Sequence, residues 1–255
     1  MIRNNKILPS IPSHFALSKR SFIIIPPVSI THEELAAAYR LLCKSEDEVI
    51  TGPGSEVSTT RILLLVDRSG SMIPFQRMNE EFCKAIQQLG KQQQVTIYYF
   101  HNVPIEDYDE IKLMLVCAAN QPLPSLDTLL TKIEPQTEGY LYSDPDLLSP
   151  EPLSVVLKEH AVGSTILLVS DAGAGSSRYN ILRLFTSVAF LKAISSYTLH
   201  YVWLNPLSED YWHDRNNTAA HLAHYVSMFS LNRDGIYQAF SALLEQSKKR
   251  EEKLL

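Results

Sequence analysis

The chain has 255 residues, 45% of them hydrophobic and 20% charged, the balance of a globular protein with material for one sizeable core. A net charge of −5 argues against nucleic acid as a partner, because a polyphosphate binder needs a basic surface. Cys43, Cys83 and Cys117 are far apart and show no CxxC spacing, which excludes a disulfide framework and makes the cytoplasm the expected location.

Residues 1–30 are rich in Pro, Ser and basic side chains without a sustained period, and predict an extended arm. Its apolar stretch, Phe22-Ile-Ile-Ile25, is cut by Pro26-Pro27. That is too short for a secretory signal or a membrane span, so no membrane association is expected. Glu33 and Glu34 open a helical pattern carried by Leu35, Tyr39 and Leu42 to about Lys44. Residues 51–60, rich in Gly, Ser and Thr, read as a flexible connector. The expected division is therefore arm, helix and connector over 1–60, a main domain over 61–247, and a charged tail over 248–255.

Within 61–247, strand and helix patterns alternate. Residues 62–66 form a wholly apolar run of the kind buried on both faces of a parallel sheet. A helix over 74–89 places Phe82, Ala85, Ile86 and Leu89 on one side, and residues 95–100 read as the second strand. Residues 111–119 suggest a strand, 126–133 and 153–159 helices, and 135–152 a long loop of the sort that carries function. Strands at 165–170 and 199–204 flank a helix at 181–194. A helix at 217–226, a short strand at 227–231 and a closing helix from Gly235 complete the chain. This order predicts an α/β fold: a doubly wound, mostly parallel sheet flanked by helices, Rossmann-like, with an N-terminal arm and helix.

Ligands of open parallel sheets bind beyond the carboxyl ends of the strands. There the first strand runs into Asp67-Arg-Ser-Gly-Ser-Met72, offering Asp67, Ser69 and Ser71 as oxygen donors two residues apart. A later strand ends likewise, in Ser170-Asp171-Ala-Gly-Ala-Gly175. Such a set suits hard cations, Mg²⁺, Mn²⁺ or Ca²⁺. The competing local reading, that Asp67 and Ser69 only cap the following helix, leaves the second strand–Asp unit unexplained.

These segments closely resemble the first strand and DxSxS metal-ion-dependent adhesion site (MIDAS) of von Willebrand factor A (VWA) domains, with Asp171 matching the aspartate of the later MIDAS loop. Tyr98-Tyr-Phe-His-Asn-Val-Pro104, Leu141-Tyr-Ser-Asp-Pro145 and Val202-Trp-Leu-Asn-Pro206 look like segments of a bacterial VWA group thought to work beside MoxR-type AAA ATPases or signalling ATPases of conflict systems. The resemblance implies a magnesium-type ion held by Asp67, Ser69 and Ser71, with Asp171 acting through water. An open coordination position would take an acidic residue of a protein partner. The family also supplies a middle-loop threonine. Ser149 is the first choice for that role, with Thr137 and Ser143 behind it.

Other motifs carry less. His101 and Asn102 end a strand on the same sheet edge and are candidates to line the pocket. His221 and His224 share a helix face but lack a third zinc ligand. Trp203 is expected in the core, whereas Trp212 and His213 fall in a polar loop. There is no Walker A sequence and no G-x-S-x-G elbow, and Ser69 stands where a haloacid-dehalogenase-like phosphatase needs a second carboxylate. The expected function is a non-enzymatic, metal-dependent protein-interaction module. The alternative is a structural or signalling subunit whose metal site is vestigial and which binds through residues 1–60, with a hydrolase behind it.

Overall fold

Runs as apolar as Ile-Leu-Leu-Leu-Val and Ile-Leu-Leu-Val need cover on both faces, and the sheet gives it to them. In a computed structural model of the chain, the described residues are 33–38, 61–68, 70–89, 95–106, 126–175, 179–213 and 217–254. Helix α1 (residues 33–38) precedes strand β1 (Arg61–Asp67), a 3-10 turn (Gly70–Phe75), α2 (Gln76–Leu89) and β2 (Val95–Phe100). After α3 (Leu126–Thr131) come the short strands β3 (Tyr140–Tyr142) and β4 (Pro150–Pro152), then α4 (Leu153–Val156), which passes into a π-type turn at Leu157–Ala161. Strand β5 (Ser164–Val169), α5 (Ile181–Ser195), β6 (Tyr201–Asn205), α6 (Glu209–Trp212), α7 (Thr218–Leu222), β7 (Met228–Ser230) and α8 (Arg233–Leu254) follow.

The seven strands form one mixed sheet in the order β4-β3-β2-β1-β5-β6-β7. Five are parallel, with β1 at the centre between β2 and β5, β6 beyond β5 and β7 at the edge. On the other flank β3 runs antiparallel to β2, and β4 antiparallel to β3. The chain is thus of the α/β class with a mostly parallel sheet. Its core is drawn from all the central strands: every residue of β5 is buried, as are positions 62–67 of β1. Phe185, Phe190, Phe240 and Trp203 pack against them.

The sheet departs from the sequence pattern in the middle of the chain. The loop expected over 135–152 holds the β3–β4 hairpin, whose three-residue strands are too short to show a period of two. Its Tyr98 hydroxyl contact with Glu151 ties β4 back to β2 at 2.8 Å. The strand read at 111–119 lies outside the described residues. Helix α8 begins two residues before Gly235 and its backbone is helical to Leu254. Helix α1 packs on it: Tyr237 Oη donates to the Glu34 carbonyl at 3.1 Å, Arg233 pairs with the Glu34 carboxylate at 3.2 Å, and Leu35 and Ala38 are buried. No helix of the described residues is long and apolar enough to cross a membrane.

Candidate functional site

The chain leaves β1 towards β2 on one side, and β5 lies on the other, so the carboxyl ends of β1 and β5 meet where the strand order reverses. Such a crevice is the ligand position of open α/β sheets. Register sets what stands there. Val66 pairs with Val169, which brings Asp67 level with Ser170 and leaves Asp171 one residue beyond.

Both aspartates are fully buried, and each is held by several donors. The Asn102 amide donates to Asp67 Oδ1 at 3.0 Å and the Ser170 hydroxyl to Asp67 Oδ2 at 2.8 Å. Asn102 reaches that position with a φ of 58°, a left-handed conformation that Asn tolerates better than most residues. For Asp171, the Gly173 amide donates to Oδ1 at 3.0 Å and the Gly175 amide to Oδ2 at 2.9 Å. Its own amide donates to Met72 Sδ at 3.1 Å, and its carbonyl accepts from Asn205 Nδ2 at 3.0 Å. Trp203, in the core as expected, donates from Nε1 to the Ser170 carbonyl at 2.7 Å. The loop is packed to contact: a Cβ on Gly175 would fall 2.8 Å from Asp171 Oδ2 and 3.0 Å from Ser71 Cβ. Ser71 is therefore a neighbour of the Asp171 carboxylate.

The cation of this site comes from a residue that the motif does not contain. Arg183, in the first turn of α5, places Nη2 at 3.1 Å from Asp171 Oδ1 and 3.5 Å from Asp67 Oδ2, and Nη1 donates to Asn102 Oδ1 at 2.8 Å. With both carboxyls ionised, two negative charges face one guanidinium, which sits nearer Asp171. Burial pushes the Asp67 carboxyl up from the usual 3.8 to about 6, and the Ser170, Arg183 and Asn102 contacts only partly offset this.

The residues as placed do not fit a divalent ion bridging the two aspartates. An ion would have to take oxygens about 2.0–2.6 Å away on the side where Nη2 lies against both carboxylates. The remaining expected ligands divide. Ser71 is beside Asp171, while Ser69 lies outside the described residues. Ser149 stands in the β3–β4 connection, immediately before β4, where its amide donates to Asp144 Oδ2 at 2.6 Å and its carbonyl accepts from the Ser143 amide; the same connection reaches the residue after Asp67, with Arg68 Nε donating to the Pro145 carbonyl at 3.2 Å. Ser143 shares that hairpin. Thr137 stands between Gln136, whose amide reaches the Ala189 carbonyl of α5, and Glu138, whose carbonyl accepts from Glu106.

Comparison with known proteins gives no match. No family model, no curated protein and no solved structure matches this chain.

Other singled-out residues resolve as packing. Trp212, expected in a polar loop, is buried in α6 with Nε1 donating to the Leu207 carbonyl at 3.2 Å. The His221 ring lies against Tyr179, with centroids 4.9 Å apart. Among the described residues no group of three His, Cys, Asp or Glu side chains converges on a metal position. Sequence reading gives no role to Arg183, and Ser170 and Asn205 enter it only inside longer segments. A signal for Arg183 did exist, because α5 is otherwise apolar at its start and a cation in a first turn opposes the helix dipole.

Proposed function

We propose that this chain is a VWA-like, non-enzymatic interaction module that engages a protein partner at the carboxyl edge of its sheet, around the Asp67–Asp171 pair. The observation that carries this reading is a buried, fully hydrogen-bonded carboxylate pair at the topological switch point, level with exposed apolar side chains. Ile73 follows β1, Tyr179 and Ile181 precede and open α5 after β5, and Tyr211 follows β6. All four are exposed, and all belong to connections that leave the same sheet edge. Exposed apolar groups around a polar centre are the composition of a docking surface. The strand order and the position of both aspartates support the finer VWA, doubly wound description. The resemblance supplies the class of partner, an ATPase-containing assembly.

Capture from a native lysate tests the reading. Wild type is compared with Ile73→Asp, which alters the carboxyl edge, and with Leu199→Asp, an exposed change just before β6 on the opposite edge. A protein retained by wild type and Leu199→Asp but lost with Ile73→Asp is the expected result. Equal capture by all three, with loss only on deleting residues 1–60, transfers binding to the N-terminal segment and sinks the proposal.

A further inference from the structure

We infer that the Arg183 guanidinium is the resident cation of this site, occupying the place of a divalent ion and making the module independent of metal. The inference rests on reading the crevice as a cation-bridged carboxylate pair. Two carboxylates without solvent exposure need a countercharge, since an isolated buried ion is among the costliest groups a fold can contain. Among the described residues, Arg183 is the cationic side chain that touches both.

Its geometry is that of a built seat. Nη2 spans the two carboxylates, and Nη1 is fixed by Asn102, whose amide also holds Asp67. The fork therefore closes a ring that joins the ends of β1, β2 and β5. The stem is seated as closely as the head: a Cβ on Gly173, which has a φ of 81°, would lie 3.3 Å from Arg183 Cδ and 3.4 Å from Nε. Gly173 thus combines a left-handed turn with room for the arginine. The side chain is only 15% exposed, although arginine at a helix start would ordinarily turn outwards to water and away from the positive end of the dipole. Holding it inward requires the two carboxylates.

Asp67 Oδ2 already accepts from Ser170, and Asp171 Oδ1 from Gly173. Nη2 makes the further contact of each of these two oxygens, at 3.5 and 3.1 Å. A divalent ion and this guanidinium would compete for one position, and both cannot be neighbours there without strong like-charge repulsion.

The test is thermal melting of the full chain in EDTA and in millimolar Mg²⁺ or Mn²⁺, for wild type, Arg183→Gln, and Arg183→Gln combined with Asp171→Asn. Wild type is expected to melt at the same temperature in both conditions. Arg183→Gln should melt lower in EDTA and regain about 5 °C or more with Mn²⁺ at a hundredfold excess over its Kd, and the double variant should lose that response. If Arg183→Gln does not accumulate folded, its refolding yield with and without Mn²⁺ is the readout, and an Mn²⁺-dependent yield supports the inference. A saturable metal shift in wild type overturns it, as does an Arg183→Gln protein, folded or refolding, that is indifferent to metal. Melting needs no partner, so loss of the capture result leaves this outcome separately readable.

Discussion

Replacing Asp67 by Asn isolates the electrostatic cost of the carboxylate pair. Burial raises the Asp67 carboxyl from 3.8 to about 6, and about two pH units correspond to roughly 3 kcal/mol between protonation states. The sign follows from proton counts. The folded state holds the proton more tightly than the unfolded chain, so the favourable contribution is complete below about pH 4 and is lost as pH rises through 6. Asn keeps an oxygen for the Asn102 amide and carries no charge. Its amino group faces Ser170 and Arg183, and that mismatch costs about 1–2 kcal/mol. Above pH 7 the substitution should therefore stabilise the fold by about 1–2 kcal/mol, a Tm gain of roughly 2–8 °C for a chain of this size. Near pH 4 only the mismatch remains, and Asp67→Asn should be the less stable protein. Circular dichroism melts from pH 4 to 8 at fixed ionic strength, with EDTA present, measure the difference. A Tm difference that stays constant across this range, or a loss at pH 8 as large as at pH 4, would refute burial as the dominant influence on Asp67.

Two further outcomes can be measured on the same preparation. Gly175→Ala places a methyl 2.8 Å from Asp171 Oδ2 and 3.0 Å from Ser71 Cβ, and should cost about 1–3 kcal/mol in urea unfolding; an unchanged midpoint would mean that this loop relaxes freely. Cys83 is buried, and burial pushes its thiol up to about 12. At pH 8 its peptide should stay unmodified by iodoacetamide in the native protein and become labelled in urea, as followed by mass spectrometry. Rapid native labelling would contradict its placement on the inner face of α2.

Sequence pattern alone was enough to read the alternating strands and helices, because that information is local. Residues 62–66 and 166–169 are apolar without interruption since each must be covered on two faces. Asp67 and Asp171 announced themselves by ending those runs. The β3–β4 hairpin leaves no such trace, since three-residue strands, one of them Pro-Glu-Pro, show no periodicity. Ser149 is picked out as a hydroxyl leading into a helix, and the hairpin ties its amide to Asp144. Trp212 looked exposed among polar neighbours until Leu207 and α6 enclosed it.

Arg183 marks the division most sharply. Its position in a first turn was visible as an electrostatic misfit, but the reason for it was not. Asp67 and Asp171 are separated from it by 116 and 12 residues, and only the register of β1 with β5 brings them to one guanidinium. Local sequence determined which oxygens stand at the strand ends, because strand burial and termination are read residue by residue. The tertiary structure decided which cation faces them, because that charge arrives on a helix whose direction is set by packing against the whole sheet.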